Sequence, residues 1–253
     1  MIGLYFSGTG NSRYAAEKLL EALDYAPEVY AIEEEAAAAQ LALHEEILLA
    51  YPVQYSDVPM ILRRFVRDHA ELWSGRRVFV VATMALFSGD GAGVLARLLR
   101  QCGATVTGGL HLQMPDSIAD ERVLKRTPAK NRRLVEAALR KIARAADGIR
   151  RGRYPRQGLG LLPRLAGFLT QRLWFGHRTR QYHSGLKINA GSCIGCGRCA
   201  RLCPTGNITM EGKTAQAADR CTLCYRCVNL CPKQAITLLG HRVISQTSIE
   251  KHL

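Results

Sequence analysis

No stretch of this 253-residue chain stays apolar long enough to cross a bilayer, which takes about 20 consecutive apolar residues in a helix. Its opening Met1-Ile2-Gly3-Leu4-Tyr5-Phe6-Ser7 shows no basic stretch, apolar core or cleavage site of a secretory leader, so a cytoplasmic protein is expected. The seven histidines are scattered, with no two at metal-ligand spacing. There is no nucleophile–base pair, no His-Glu zinc motif and no paired acids, so no side chain is assigned a catalytic role. Two glycine signatures are also missing. Without Gly-Lys-Ser/Thr a triphosphate P-loop is not expected, and without Gly-x-Gly-x-x-Gly neither is the usual dinucleotide site.

Cysteine is what the chain has in excess. Eight of nine fall into two copies of one spacing, Cys-x2-Cys-x2-Cys-x3-Cys-Pro. The first copy is Cys193, Cys196, Cys199, Cys203 and Pro204; the second is Cys221, Cys224, Cys227, Cys231 and Pro232. A disulfide framework would imply secretion. Zinc needs only paired cysteines, with no third at the same short interval. The doubled run is the bacterial-type ligand set for two cubane iron–sulfur clusters, in which the fourth cysteine of each run ligates the other cluster. One [4Fe-4S] cluster is therefore assigned to Cys193, Cys196, Cys199 and Cys231, and its partner to Cys221, Cys224, Cys227 and Cys203. Cys102 ends a helical run with Leu98 and Leu99 and reads as an inert core residue.

Charge is unevenly placed. The nominal +14 divides into −6 for residues 1–120, +15 for 121–187 and +5 for 188–253. Two cubanes would remove about 4 units and a phosphate monoester about 2 more, leaving a basic protein. An acidic redox partner protein, steered to the basic face of residues 121–187, is the expectation. A charge-rich linker without a recognised fold is weak grounds for nucleic-acid binding, and none is expected.

The N-terminal half alternates strand and helix. Strands are expected at Ile2–Phe6, Glu28–Ile32, Glu46–Tyr51, Val78–Thr83 and 104–114. Helices are expected after Ser12 (Ala15, Ala16, Leu19, Leu20 and Leu23 on one face), over Pro59–Leu72, over 91–102 and over 128–147. This is the pattern of an α/β doubly wound parallel sheet with ligand loops at the carboxyl ends of its strands. The first such loop, Ser7-Gly8-Thr9-Gly10-Asn11-Ser12, combines glycines that expose backbone N–H groups with hydroxyl donors at a helix N-terminus. Lacking a lysine, it suits a terminal phosphate monoester.

That loop resembles the flavodoxin phosphate loop, Thr/Ser-x-Thr-Gly-x-Thr/Ser, and the complete chain resembles the flavodoxin–ferredoxin fusion proteins of anaerobic bacteria and archaea. The resemblance implies a five-stranded sheet in the order 2-1-3-4-5 and FMN held at the strand ends. Ser7, Gly8, Thr9, Gly10, Asn11 and Ser12 would hold its phosphate. The loops carrying Pro52, Val53 and Tyr55, and Thr83, Met84, Phe87 and Gly89, would flank the ring, with Tyr55 and Phe87 the better stacking partners.

The implied organisation is a flavodoxin-like FMN-binding domain at 1–147, a basic, partly amphipathic linker at 148–186, a ferredoxin domain of α+β type at 187–240 and a tail at 241–253. Leu159–Phe175 mixes large apolar side chains with arginines. It can pack between the domains, which is the favoured role, lie on an anionic membrane surface, or dock a partner. In the ferredoxin domain Leu186–Ile188 is expected to pair with Asn207–Met210, echoed by Ala235–Leu238. The function these readings imply is an electron-transfer oxidoreductase linking two clusters to FMN. The alternative is a flavin-dependent reductase of a small organic acceptor, with the clusters as electron input.

Overall fold

The computed structural model describes residues 1–160 and 185–253. Five parallel strands, β1 (Ile2–Tyr5), β2 (Val29–Ala31), β3 (Glu46–Pro52), β4 (Arg77–Met84) and β5 (Thr105–Gln113), form one sheet in the order β2-β1-β3-β4-β5. Between them run α1 (Asn11–Ala22), α2 (Glu35–Leu43), α3 (Met60–Asp68), a 3₁₀ turn (Ala70–Trp73), α4 (Gly91–Gln101) and, after β5, α5 (Pro128–Arg150). Both faces of the sheet are covered. Ile47, Leu49 and Tyr51 of β3 point into one apolar layer, while Leu48 and Ala50 point into the other, against α1 and α5. Burial on both sides is why these strands read as unbroken apolar runs rather than alternating ones.

Helix α5 starts where Thr127 accepts a hydrogen bond from the Lys130 N–H at 3.3 Å and Pro128 occupies the first turn. It runs on to Arg150, past the boundary expected at residue 147. Helix α2 was not anticipated. Its Glu-Ala-Ala-Ala-Ala start has strong helix propensity but only Ala37 and Leu41 are buried, so no apolar stripe announces it.

The C-terminal module contains β6 (Lys187–Ile188), α6 (Arg198–Leu202), β7 (Ile208–Glu211), β8 (Thr214–Ala217), α7 (Arg226–Leu230) and β9 (Ile236–Thr237). Here the expected pairing is corrected. Strand β6 pairs antiparallel with β9, and β7 pairs with β8 instead of with the segment at Leu186–Ile188. Gly212, at φ +59°, opens the two-residue turn that makes β7–β8 a hairpin. A 3₁₀ turn at Ile249–His252 returns to the N-terminal half, where Ile249 is buried in the layer of α1 and α5. The amphipathic stretch Leu159–Phe175 lies, beyond Gly160, outside the described residues. Among those residues no helix is long and apolar enough to cross a membrane.

Candidate functional site

At the carboxyl end of the sheet the loops after β1, β3, β4 and β5 surround a pocket of about 270 Å³. Ser7, Gly8, Thr9, Asn11 and Ser12 line one end, and Pro52, Val53, Tyr55, Thr83, Met84 and Phe87 line the rest with Met114–Ile118. Two residues expected there are placed elsewhere. Gly10, at φ +90°, backs onto Ile249, and Gly89 lines a separate groove beside Ser88 and His111.

The polar side chains of the first loop are largely committed to holding it. The Ser12 N–H donates to Ser7 Oγ at 3.3 Å, and the Ser12 and Thr83 hydroxyls share a 2.8 Å hydrogen bond. Asn11 Nδ2 donates to Pro115 O at 2.8 Å, which ties the loop after β5 to the loop after β1. Asp116 closes the pocket, its Oδ2 3.1 Å from Lys125 Nζ. Tyr55, in the left-handed region at φ +49°, packs against the apolar core of the C-terminal module, while Phe87 stands 48% exposed.

The C-terminal module also contributes directly to this pocket. Leu223, Cys224, Tyr225, Leu238 and Leu239 complete its wall. Hydrogen bonds of three residues fix them. Gln54 Nε2 donates to Thr222 O at 3.0 Å and Leu223 O at 3.1 Å. Arg226 Nη2 donates to Ser7 O at 2.8 Å and to Glu33 at 2.6 Å. Asp120, buried, accepts from the backbone N–H groups of Leu238, Leu239 and Gly240 at 2.6, 3.0 and 3.1 Å, and from Tyr225 OH at 2.9 Å. Burial, and then the neighbouring Asp120, push the Tyr225 phenol far up, so it stays protonated and donating. Gly8 shows how close the approach is. A Cβ there would lie 1.8 Å from the carbonyl oxygen of Cys224. None of these joint residues carries a sequence signal except Gly8, whose glycine reads as a backbone donor position but also serves close packing.

The cysteines gather in two cavities. Cys193, Cys196, Cys199 and Cys231 line one; Cys203, Cys221, Cys224 and Cys227 line another. These are the two crossed quartets. Cys203 bears electrostatically on Cys221, Cys224 and Cys227, and Cys231 on Cys199. Among the described residues no three such ligands converge on a point that a single metal ion could occupy, as zinc would need. Backbone N–H groups of Asn207, Ala235 and Leu223 donate to Cys203, Cys231 and Cys221 sulfur at 3.2, 3.3 and 3.4 Å. Burial pushes the Cys221 and Cys227 thiols up, and that of Cys224 up to about 12. Such thiols hold their protons until a metal displaces them. Cys102 lies apart, half-buried against the apolar layer of α3 and α4.

Residues 2–103 match the family model for the flavodoxin domain, and residues 192–235 match that for the 4Fe-4S dicluster domain. The chain joins a flavodoxin domain to a 4Fe-4S dicluster domain. No curated protein matches it. Similar solved structures include two-electron reduced Megasphaera elsdenii flavodoxin, at 24% identity over 55% of this chain and 99% of that one, with a TM-score of 0.41. Flavodoxin 2 from Bacillus cereus follows at 17% identity, 60% and 97% coverage and 0.41. Fusobacterium nucleatum flavodoxin bound to flavin mononucleotide stands at 14%, 60% and 97%, and 0.42.

The dicluster domain implies two [4Fe-4S] clusters and the flavodoxin domain implies a flavin. The residues present fit both. Each cavity carries four cysteines and sulfur-directed N–H donors. The pocket over the sheet offers a hydroxyl-bearing loop at a helix N-terminus at one end and a mostly apolar lining at the other.

Proposed function

We propose that this chain is an electron-transfer oxidoreductase that binds FMN and two [4Fe-4S] clusters and links one-electron carriers to two-electron redox chemistry in anaerobic metabolism. Clusters exchange one electron each, whereas a flavin can hold one or two, and that difference is the chemistry the bound groups supply. One observation carries the reading: Cys224, Tyr225 and Leu238 line both the cavity of the inner quartet (Cys203, Cys221, Cys224, Cys227) and the flavodoxin pocket. A ligand cysteine thus stands in the wall between the two sites. The outer quartet (Cys193, Cys196, Cys199, Cys231) opens to solvent at Cys196, which is exposed.

The phosphate end of FMN is assigned to the loop from Ser7 to Ser12, and the ring end to the apolar walls at Pro52–Tyr55 and Thr83–Phe87. An acidic redox partner belongs to the same proposal, since Lys130, Arg132, Arg133, Arg140 and Arg144 stand exposed along α5. Direct reduction of a small organic acceptor is kept as a second reading because Leu86 and Phe87, 59% and 48% exposed, leave the pocket's β4 side uncovered.

Anaerobic purification with iron, sulfide and flavin quantified on one sample tests the first reading. About eight irons and one FMN per chain are expected. Four irons, or no flavin, overturns it. Turnover with a small acceptor would select the second reading over the first.

A further inference from the structure

The two cysteine cavities are built from an internal repeat, so each position around one has a counterpart 28 residues away around the other. The backbone donors obey this symmetry. Asn207 N–H reaches Cys203 sulfur as Ala235 N–H reaches Cys231 sulfur. Leu223 N–H and Gly195 N–H likewise serve Cys221 and Cys193.

The side chains break it. Around the inner quartet stand Thr205, Asn207 and Thr222, and their counterparts around the outer quartet are Lys233, Ala235 and Ile194. Asn207 and Thr222 are buried, at 1% and 3% exposure. Asn207 Oδ1 accepts from the Arg220 N–H at 2.6 Å, which turns the amide's NH₂ end away from that contact. Asn207 Nδ2 and Thr222 Oγ1 then have no hydrogen-bond partner among the described residues. A buried donor left unpaired costs about 1–3 kcal/mol, and two such donors lining one small cavity point to an acceptor inside it. The Thr205 hydroxyl already lies 3.5 Å from Cys203 sulfur.

Burial sets these donors a task. Cys221 and Cys227 are 8% exposed, whereas Cys196 is exposed to solvent. Adding negative charge inside a low-dielectric site is disfavoured, so burial alone makes the inner cluster harder to reduce than the outer. Hydrogen bonds to cluster sulfur favour the reduced, more negative state.

We propose that Asn207 and Thr222, together with Thr205, donate hydrogen bonds to the sulfurs of the inner cluster and so raise its reduction potential against the cost of burial, a device the outer cluster lacks. The inner cluster thereby stays within reach of electrons arriving from the outer one. This inference rests on the proposed cluster binding and goes beyond it in assigning the residues that set the two potentials apart.

The test is an EPR-monitored redox titration of the anaerobically purified full chain, wild type against Thr222→Val and Asn207→Ala, with iron quantified in each. Thr222→Val keeps shape and removes the hydroxyl; Asn207→Ala installs the residue found in the other repeat. Each is expected to lower one of the two cluster potentials by about tenfold in the one-electron equilibrium, which is 59 mV, and to leave the other unmoved. The reciprocal variants Ile194→Thr and Ala235→Asn should raise the outer potential, and they keep the question answerable if Asn207→Ala fails to fold. Eight irons per chain with both potentials unmoved in every variant overturns this inference alone. Wild-type material without iron overturns the cluster assignment, and this inference with it.

Discussion

The two halves of this molecule are stable for different reasons. The flavodoxin half buries Trp73, Tyr51, Phe6 and Phe79 in two apolar layers around its sheet, to which the C-terminal tail adds Ile249. The dicluster half has strands of two to four residues and five-residue helices, and its small core holds Cys221 and Cys227, with Cys193, Cys199, Cys203 and Cys231 packed against it. A segment that short cannot bury enough apolar surface to offset chain entropy, and so it depends on metal and on its neighbour. One half is a scaffold, and the other is held in place by what it binds and by what it leans on.

Removing iron should break the comparison open most completely. Chelation is expected to unfold residues 187–240 while residues 1–150 keep their hydrogen-exchange protection. A protease-resistant C-terminal module in iron-free protein would refute the contrast. Next in size is Asp120→Ala, which strips partners from three buried N–H groups and the Tyr225 hydroxyl. About 4 kcal/mol should be lost, read as urea sensitivity of the dicluster half with the flavodoxin half unchanged. Gly8→Ala forces a Cβ into the Cys224 carbonyl, and an overpacking cost of about 3 kcal/mol is expected at the joint. Denaturation monitored at the clusters should detect it before flavodoxin-domain fluorescence changes.

The smallest effect belongs to the flavodoxin half alone. His111 sits half-buried, with Nε2 3.1 Å from Ser88 Oγ, its backbone N–H donating to Gln157, and Lys141 Nζ donating to its carbonyl oxygen at 2.7 Å. Burial first, then the Lys141 charge, lower its pKa to about 4. The native imidazole is therefore neutral where the unfolded one begins to charge. Stability is full above the ordinary value of 6.5 and declines as pH falls towards 4, by about 2 kcal/mol between pH 7 and pH 5. His111→Gln should flatten that slope in urea titrations, and an unchanged slope would remove His111 as its source.

The strands of the flavodoxin half were legible as unbroken apolar runs and most of its helices as periodic apolar faces, whereas the sheet order 2-1-3-4-5 came from the resemblance alone. Helix α2 left no periodic trace, since its alanines satisfy propensity without marking a side. The crossed cysteine quartets were legible in the doubled spacing. The β7–β8 hairpin had a signal in Gly212-Lys213 that the expected pairing with Leu186–Ile188 overlooked. The residues joining the halves were not legible at all. Asp120, Gln54 and Arg226 act through backbone groups more than 100 residues away in sequence, and no local pattern encodes a partner at that separation.

The stretch just after α5 has a consequence for how the molecule meets others of its kind. Pro155 O accepts from Gly109 N–H at 2.8 Å, and Gln157 N–H donates to Gly109 O at 2.9 Å, so this stretch lies alongside β5 as a short parallel bridge. Gly108 and Gly109 make room, since side chains there would strike the carbonyls of Pro155 and Gln157. The outermost strand on that flank is thus capped along its middle by the chain's own backbone. A stray strand from another molecule finds no open ladder there on which to template, and one common route to aggregation is closed at that border.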